Sequence, residues 1–297
     1  MIIREKPGLL DLLLALRGSV LPRIAPTLAF FALWSIAIVW IDRTFFPLAH
    51  VNGSALALFG VALSLFLGFR NNAAYDRWWE ARKLWGGLIA DMRSLPREAE
   101  IFLPASDNRD QLLRLALSFL HLHRLRLRRL KVDEAAKRCL EKAGLPDDAG
   151  PDTALTVMNA LLASERSEGR LDGFGARTLS ARLSGMALAQ AGCERIQATP
   201  LPYVYSLLVF RTSWLYCLLL PTALLGPAGW LAPLFTVIVA YTFFGLAEVT
   251  EELAHPFGLT GKGLPLDALC RVGEISVAPH LGETPPAPLA PVAFRLD

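Results

Sequence analysis

Three stretches without a single charge set the strongest limit on how this chain can fold. Residues 24–41 give 18 such positions, residues 51–69 give 19 and residues 212–247 give 36. A helix crosses a hydrocarbon core of about 30 Å with about 20 mainly apolar residues, so each of the first two stretches suffices for one crossing. The third has room for two if "LLGPAGWLAP", residues 224–233, is a turn. Its first helix must then begin upstream, near Pro202, and carry Arg211 close to a membrane surface. Composition points the same way: 53% of residues are hydrophobic and 19% charged, against about a quarter charged in soluble domains. The expectation is an all-α polytopic membrane protein with four transmembrane helices and a helical domain outside the bilayer.

The placement of charge orients it. Arg4, Lys6, Arg17 and Arg23 precede the first span, and only Arg43 lies in the loop that follows. Arg70, Arg77, Arg82, Lys83 and Arg93 come after the second span, and the loop between the third and fourth has no Lys or Arg. By the positive-inside rule both termini and the long middle segment are cytoplasmic. The opening "MIIREKPGLLDLLLALRGS" mixes acids with apolar residues and lacks a long apolar core before Arg17. It reads as an amphipathic segment lying on the membrane, with no cleavable signal sequence.

The segment map is then an N-terminal amphipathic stretch (1–23), a first membrane hairpin (24–69), a cytoplasmic helical body (70–200), a second hairpin (201–250), a cytoplasmic segment (251–278) and a proline-rich tail (279–297). In the body, "RDQLLRLALSFLHLHRLRLRRL" repeats apolar residues at helical spacing. Its basic run, residues 124–129, reads as a solvated or inter-subunit helix face rather than a nucleic-acid or anionic-lipid site. Residues 141–154 carry the Gly, Pro and Asp density of a loop. The tail holds five prolines and is either free or a strap laid over something. One helix is expected to pass from the second span into the body, because no glycine or proline lies between Gly68 and Gly86. Such continuity suits a conduit whose wall extends below the membrane.

Catalytic patterns are missing: the chain has no GxSxG, HExxH, P-loop or GxGxxG, so neither an enzyme nor a cofactor is expected. Cys139, Cys193, Cys217 and Cys270 show no CxxC pattern and read as free thiols. His121 and His123, two apart, fall on different helix faces, so no metal site is expected. Glu248, Glu251 and Glu252 cluster where the fourth span ends, and they read as an ion site or as a helix end meeting water. The span centres hold no ionisable residue, unlike those of coupled transporters. Passive permeation or a structural role remains.

"FLGFRNNAAYDRWWEARKLWG" (66–86), "GCERI" with "TPLPYVY" (192–205), and "EELAHPFG" with "LPLDALC" (251–270) together resemble the bestrophins, specifically their bacterial branch, over nearly the whole chain. The resemblance implies a homopentameric channel in a bacterial inner membrane, passing monovalent ions (Cl−, Na+, K+) through a central pore. The family's apolar neck, three positions at four-residue steps, maps here to Val61, Leu65 and Phe69. A deeper cytoplasmic constriction maps near Leu179. Asp76, Arg77, Trp78, Trp79 and Glu80 read as supports for the neck. Animal members are chloride channels and bacterial members are associated with cations, so closeness to the bacterial branch favours cations such as Na+. Aliphatic rings carry no charge preference, whereas the ring edges of Phe69 favour anions. Where animal members carry calcium-binding acids, this chain has "LTGKGLPLD" with Lys262 and a lone Asp267, which implies no calcium activation. A non-conducting scaffold that uses the basic body and the tail is the alternative.

Overall fold

The structure, a computed structural model, describes residues 1–2, 8, 15, 18–49 and 52–297. Most of the amphipathic segment expected over residues 1–23 lies outside the described residues. Among those described, regular structure is helical: α1 (Leu21–Thr44), α2 (Gly53–Phe102), α3 (Asp107–Arg128), α4 (Glu134–Ala143), α5 (Pro151–Ser167), α6 (Gly173–Ala198), α7 (Tyr203–Ala228), α8 (Ala232–Ala254) and α9 (Leu266–Val277), with 3-10 turns at Gly229–Leu231 and Ala278–Leu281. Among the described residues, three helical stretches are long and apolar enough to cross a membrane: Leu21–Thr44, Gly53–Phe102 and Tyr203–Ala254. The last is divided into α7 and α8 by the 3-10 turn, where Gly229 takes a φ of 50° that side-chain-bearing residues adopt at a cost.

Local chemistry sets the helix ends. Pro22 sits in the first turn of α1, where a missing N–H breaks no intrahelical bond. Asn52 Oδ1 accepts the Ser54 N–H at 2.9 Å and opens α2. At 50 residues, α2 is about 75 Å long, more than twice a hydrocarbon core of about 30 Å. It continues past Arg70 as expected and runs on through Gly86, Gly87 and Pro96 to Phe102.

The chain forms two compact units. The apolar unit comprises Arg4–Trp78 and Pro200–His255. Its core gathers Phe31, Leu63, Leu67, Cys217, Ala240 and Phe244. The Phe31 ring lies 4.9 Å from Trp214 and 5.6 Å from Phe244. Gly60 lets α2 and α7 approach closely, since a Cβ there would lie 2.7 Å from the Tyr216 hydroxyl. Only 28%, 28% and 22% of the three apolar windows is buried, so lipid or further copies must cover the remainder.

The polar unit comprises Met1–Ile3, Trp79–Thr199 and Pro256–Asp297. Ser106, Asp133 and Asp172 cap α3, α4 and α6, accepting backbone N–H groups of Arg109, Ala136 and Gly175 at 3.3, 2.9 and 2.6 Å. The loop expected over 141–154 is shorter, because α4 runs to Ala143 and Pro151 opens α5. Trp85, Leu88, Met92, Leu112, Leu115, Phe119 and Leu120 are fully buried. The tail returns as a strap over α9: the Arg271 guanidinium donates to the Ala287 carbonyl at 3.3 Å, and the Ala268 N–H donates to the Asp297 carbonyl at 2.8 Å.

Candidate functional site

Within the apolar unit, α2 divides into two opposed faces. Leu56, Gly60, Leu63, Leu67, Arg70 and Ala74 are buried at helical spacing against the unit's core. Val61, Leu65 and Phe69 are 60%, 58% and 68% exposed. At about 100° per residue, each four-residue step turns about 40°, and the three side chains centre on the side opposite the packed one. The result is a stripe of one aromatic and two aliphatic side chains, without polar groups, that its own protomer leaves uncovered. Phe69 also lines, with Phe66, Arg70 and Tyr205, a cavity of about 400 Å3.

Charges at the end of the stripe turn away from it. The Arg70 guanidinium is buried and donates to Glu251 Oε2 at 2.7 Å and to the Ser206 hydroxyl at 2.8 Å. Arg23 donates to Glu248 Oε1 at 2.8 Å and also pairs with Glu252. Each of the three glutamates at the exit of α8 is therefore paired with one of two arginines from α1 and α2, which favours ion pairing over an open ion site. The apolar run can thus carry Arg70 immediately after Phe69 without leaving a bare buried charge.

The proposed supports do not form one cluster. Arg77 Nε donates to the Ala254 carbonyl at 2.7 Å, at the end of α8, and the Trp78 ring stacks on Tyr75 at 6.4 Å. Trp79 is nearly half exposed, and Asp76 is exposed. Glu80 pairs with Arg195 in the polar unit. Leu179 requires correction as a constriction: it is fully buried, and a side chain enclosed by its own protomer presents no surface to a lumen. The exposed face of α6 passes instead through Phe174, Arg177, Ala181, Ser184 and Leu188.

Residues 1–279 match the family model described as Bacterial/Fungal Bestrophin protein. The chain belongs to the bestrophin family. This bestrophin is 45% identical to a voltage-dependent anion channel-forming protein of Mesorhizobium japonicum, over 99% of this chain and 96% of that one. It is 36% identical to a protein of the same description in Escherichia coli K12, over 93% of each chain. Among solved structures, a bacterial bestrophin homologue from Klebsiella pneumoniae superposes with a TM-score of 0.81 at 30% identity, covering 88% of this chain and all of that one.

Two features of the polar unit escape a linear reading. The basic run at the end of α3 is divided: Arg126 and Arg129 are exposed, whereas Arg124 and Arg128 point inward. Arg124 pairs with Asp133 at 2.5 Å and with Asp267, and Arg128 pairs with Asp267 at 2.6 Å. Burial opposes ionisation of Asp267, but the two guanidiniums outweigh it and hold the carboxyl below its ordinary range. The histidines, which spacing set apart, meet different partners. His123 is sandwiched between Trp85 and Phe119, while His121 joins Cys139 and Glu274, with the three ligand-type atoms within 4.8 Å of one another.

Proposed function

We propose that this bestrophin is a pentameric channel in which five α2 helices surround a central path and Val61, Leu65 and Phe69 form its narrow apolar neck. Family membership and the channel names of its relatives make it a channel protein and not an enzyme. The observation that carries the pore reading is the uncovered stripe opposite the packed face of an unbroken helix. Five such stripes about an axis make stacked apolar rings, and rings of this kind gate by dewetting, since a hydrated ion loses water contacts inside them. In this reading α1, the first part of α2, α7 and α8 span the bacterial inner membrane, with both termini and the polar unit on the cytoplasmic side. The excess of Lys and Arg flanking those segments supports that orientation.

Monovalent ions pass down their gradient. The relatives' names favour anions over the sodium preference that closeness to the bacterial branch suggested. Calcium is not the stimulus: Asp267 already satisfies two arginines, and a hard cation needs six to eight oxygen ligands. Purified protein in liposomes tests the proposal. Wild type passes chloride salts, and Leu65→Ala, which widens the ring, raises the flux several-fold. Reversal potentials in asymmetric NaCl give the sign of the permeant ion, and submicromolar calcium leaves the current unchanged. Absence of flux from both proteins would leave the scaffold reading instead.

A further inference from the structure

The cluster of His121, Cys139 and Glu274 belongs to no part of the conduction path proposed above. We infer that these three side chains form a binding site for a zinc-like divalent cation, with a water as fourth ligand. The residues come from three helices of the polar unit, α3, α4 and α9, and their ligand atoms lie within 4.8 Å of one another. His121 Nε2 is 2.7 Å from Glu274 Oε1. In a tetrahedral site with bonds of about 2.0–2.3 Å, neighbouring ligand atoms lie roughly 3.3–3.8 Å apart. The histidine and carboxylate need to part by well under 1 Å, within reach of a side-chain adjustment. One nitrogen, one sulfur and one oxygen suit a borderline metal such as zinc and not calcium or magnesium, which require oxygen.

The surroundings are arranged for such an ion. Glu274 Oε2 is held by Arg271 Nε at 2.8 Å, which orients the carboxylate and leaves Oε1 toward the histidine. The Ser118 hydroxyl donates to the Cys139 carbonyl at 3.0 Å and pins that turn of α4 against α3. Cys139 and Glu274 also line a cavity of about 260 Å3, which supplies an entry path and room for the water.

Charge balance explains how a cation is accepted beside Arg138 and Arg271. A divalent ion on neutral imidazole, thiolate and carboxylate sums to zero. Bonds form from the metal to Nε2, Sγ and Oε1, the N–H and S–H bonds break, and both protons leave to solvent with no change of oxidation state. The groups acting on His121 are Glu274 from α9, Cys139 from α4 and Asp133 at the start of α4, while Arg271 and Arg138 act on Glu274, and Arg114, Lys142 and Glu283 line the adjoining cavity. Burial opposes protonation of His121, but the charged ring donates to Cys139 and Glu274, which raises its pKa to about 9. Because a metal takes the deprotonated forms of its ligands, acid weakens its binding.

Cobalt(II) titration of the full-length protein in detergent tests the site independently of ion flux. The expected result is a thiolate-to-cobalt charge-transfer absorption that saturates at one equivalent per chain and is displaced by zinc. It should disappear in Cys139→Ala, and need at least about 10-fold more cobalt in Glu274→Gln. No such absorption in wild type at millimolar cobalt overturns the inference. So does a band that survives Cys139→Ala, or an affinity untouched by Glu274→Gln.

Discussion

Acid should loosen the polar unit through a single side chain, His123. Its ring stacks 5.5 Å from Trp85 and 5.8 Å from Phe119, neither ring nitrogen has a hydrogen-bond partner among the described residues, and burial lowers its pKa from 6.5 to about 4. Between those values the unfolded chain takes up a proton that the folded chain refuses. The folded state is thus undiminished above about pH 6.5 and loses stability as pH falls toward 4. At about 1.4 kcal/mol per pKa unit, the loss is about 2 kcal/mol at pH 5 and about 3 kcal/mol by pH 4. His121, raised to about 9, acts in the opposite sense: its contribution is fully present below about pH 6.5 and is lost as pH rises through 9. The two are separated by His123→Phe, which keeps a ring in the stack and removes the titration. Hydrogen exchange of α3 peptides at pH 7.5 and 5, corrected for intrinsic rates, provides the readout. Between those pH values wild type should lose about 30-fold more protection than the variant, equivalent to about 2 kcal/mol. Parallel pH dependence in the two proteins would refute the argument.

Two further substitutions probe the apolar unit. Gly60→Ala places a methyl group 2.7 Å from the Tyr216 hydroxyl and should destabilise by about 1–3 kcal/mol. Adding Tyr216→Phe should recover part of that loss in thermal unfolding, whereas simple additivity would show that the contact is not the cause. At the Arg70–Glu251 pair the two partners are 6% and 53% exposed, so the damage should be unequal. Glu251→Gln removes the counter-charge of a buried guanidinium that keeps only the Ser206 hydroxyl and costs about 2 kcal/mol, while Arg70→Met keeps the buried stem, frees a carboxylate into water and costs less. Equal losses in denaturant titrations would contradict that ordering.

Sequence reading succeeded where one physical variable dominates. Uninterrupted hydrocarbon located α1, the first part of α2 and the α7–α8 pair, and the need for length brought the start of α7 close to Pro202; the helix begins at Tyr203. The passage of α2 beyond Arg70 followed from the absence of a breaker. Chemistry created by long-range packing was out of reach. His121 and Glu274 are 153 positions apart, and Asp267, isolated in the sequence, is gripped by two arginines from α3. Leu179 failed for a related reason: an apolar residue on an amphipathic helix does not declare whether it faces the core or a lumen, and here it faces the core. The tail's proline content left a strap and a free end open, and the hydrogen bonds it accepts from the Ala268 N–H and the Arg271 guanidinium decide for the strap.

The central claim is that the stripe through Leu65 faces water, and a thiol placed there tests it most directly. In Leu65→Cys protein reconstituted in liposomes, a charged, membrane-impermeant methanethiosulfonate reagent should react with the introduced thiol and block ion flux, while the wild type is unaffected. Reaction only with a lipid-soluble maleimide, with flux unchanged, would place that side chain against acyl chains and contradict the account.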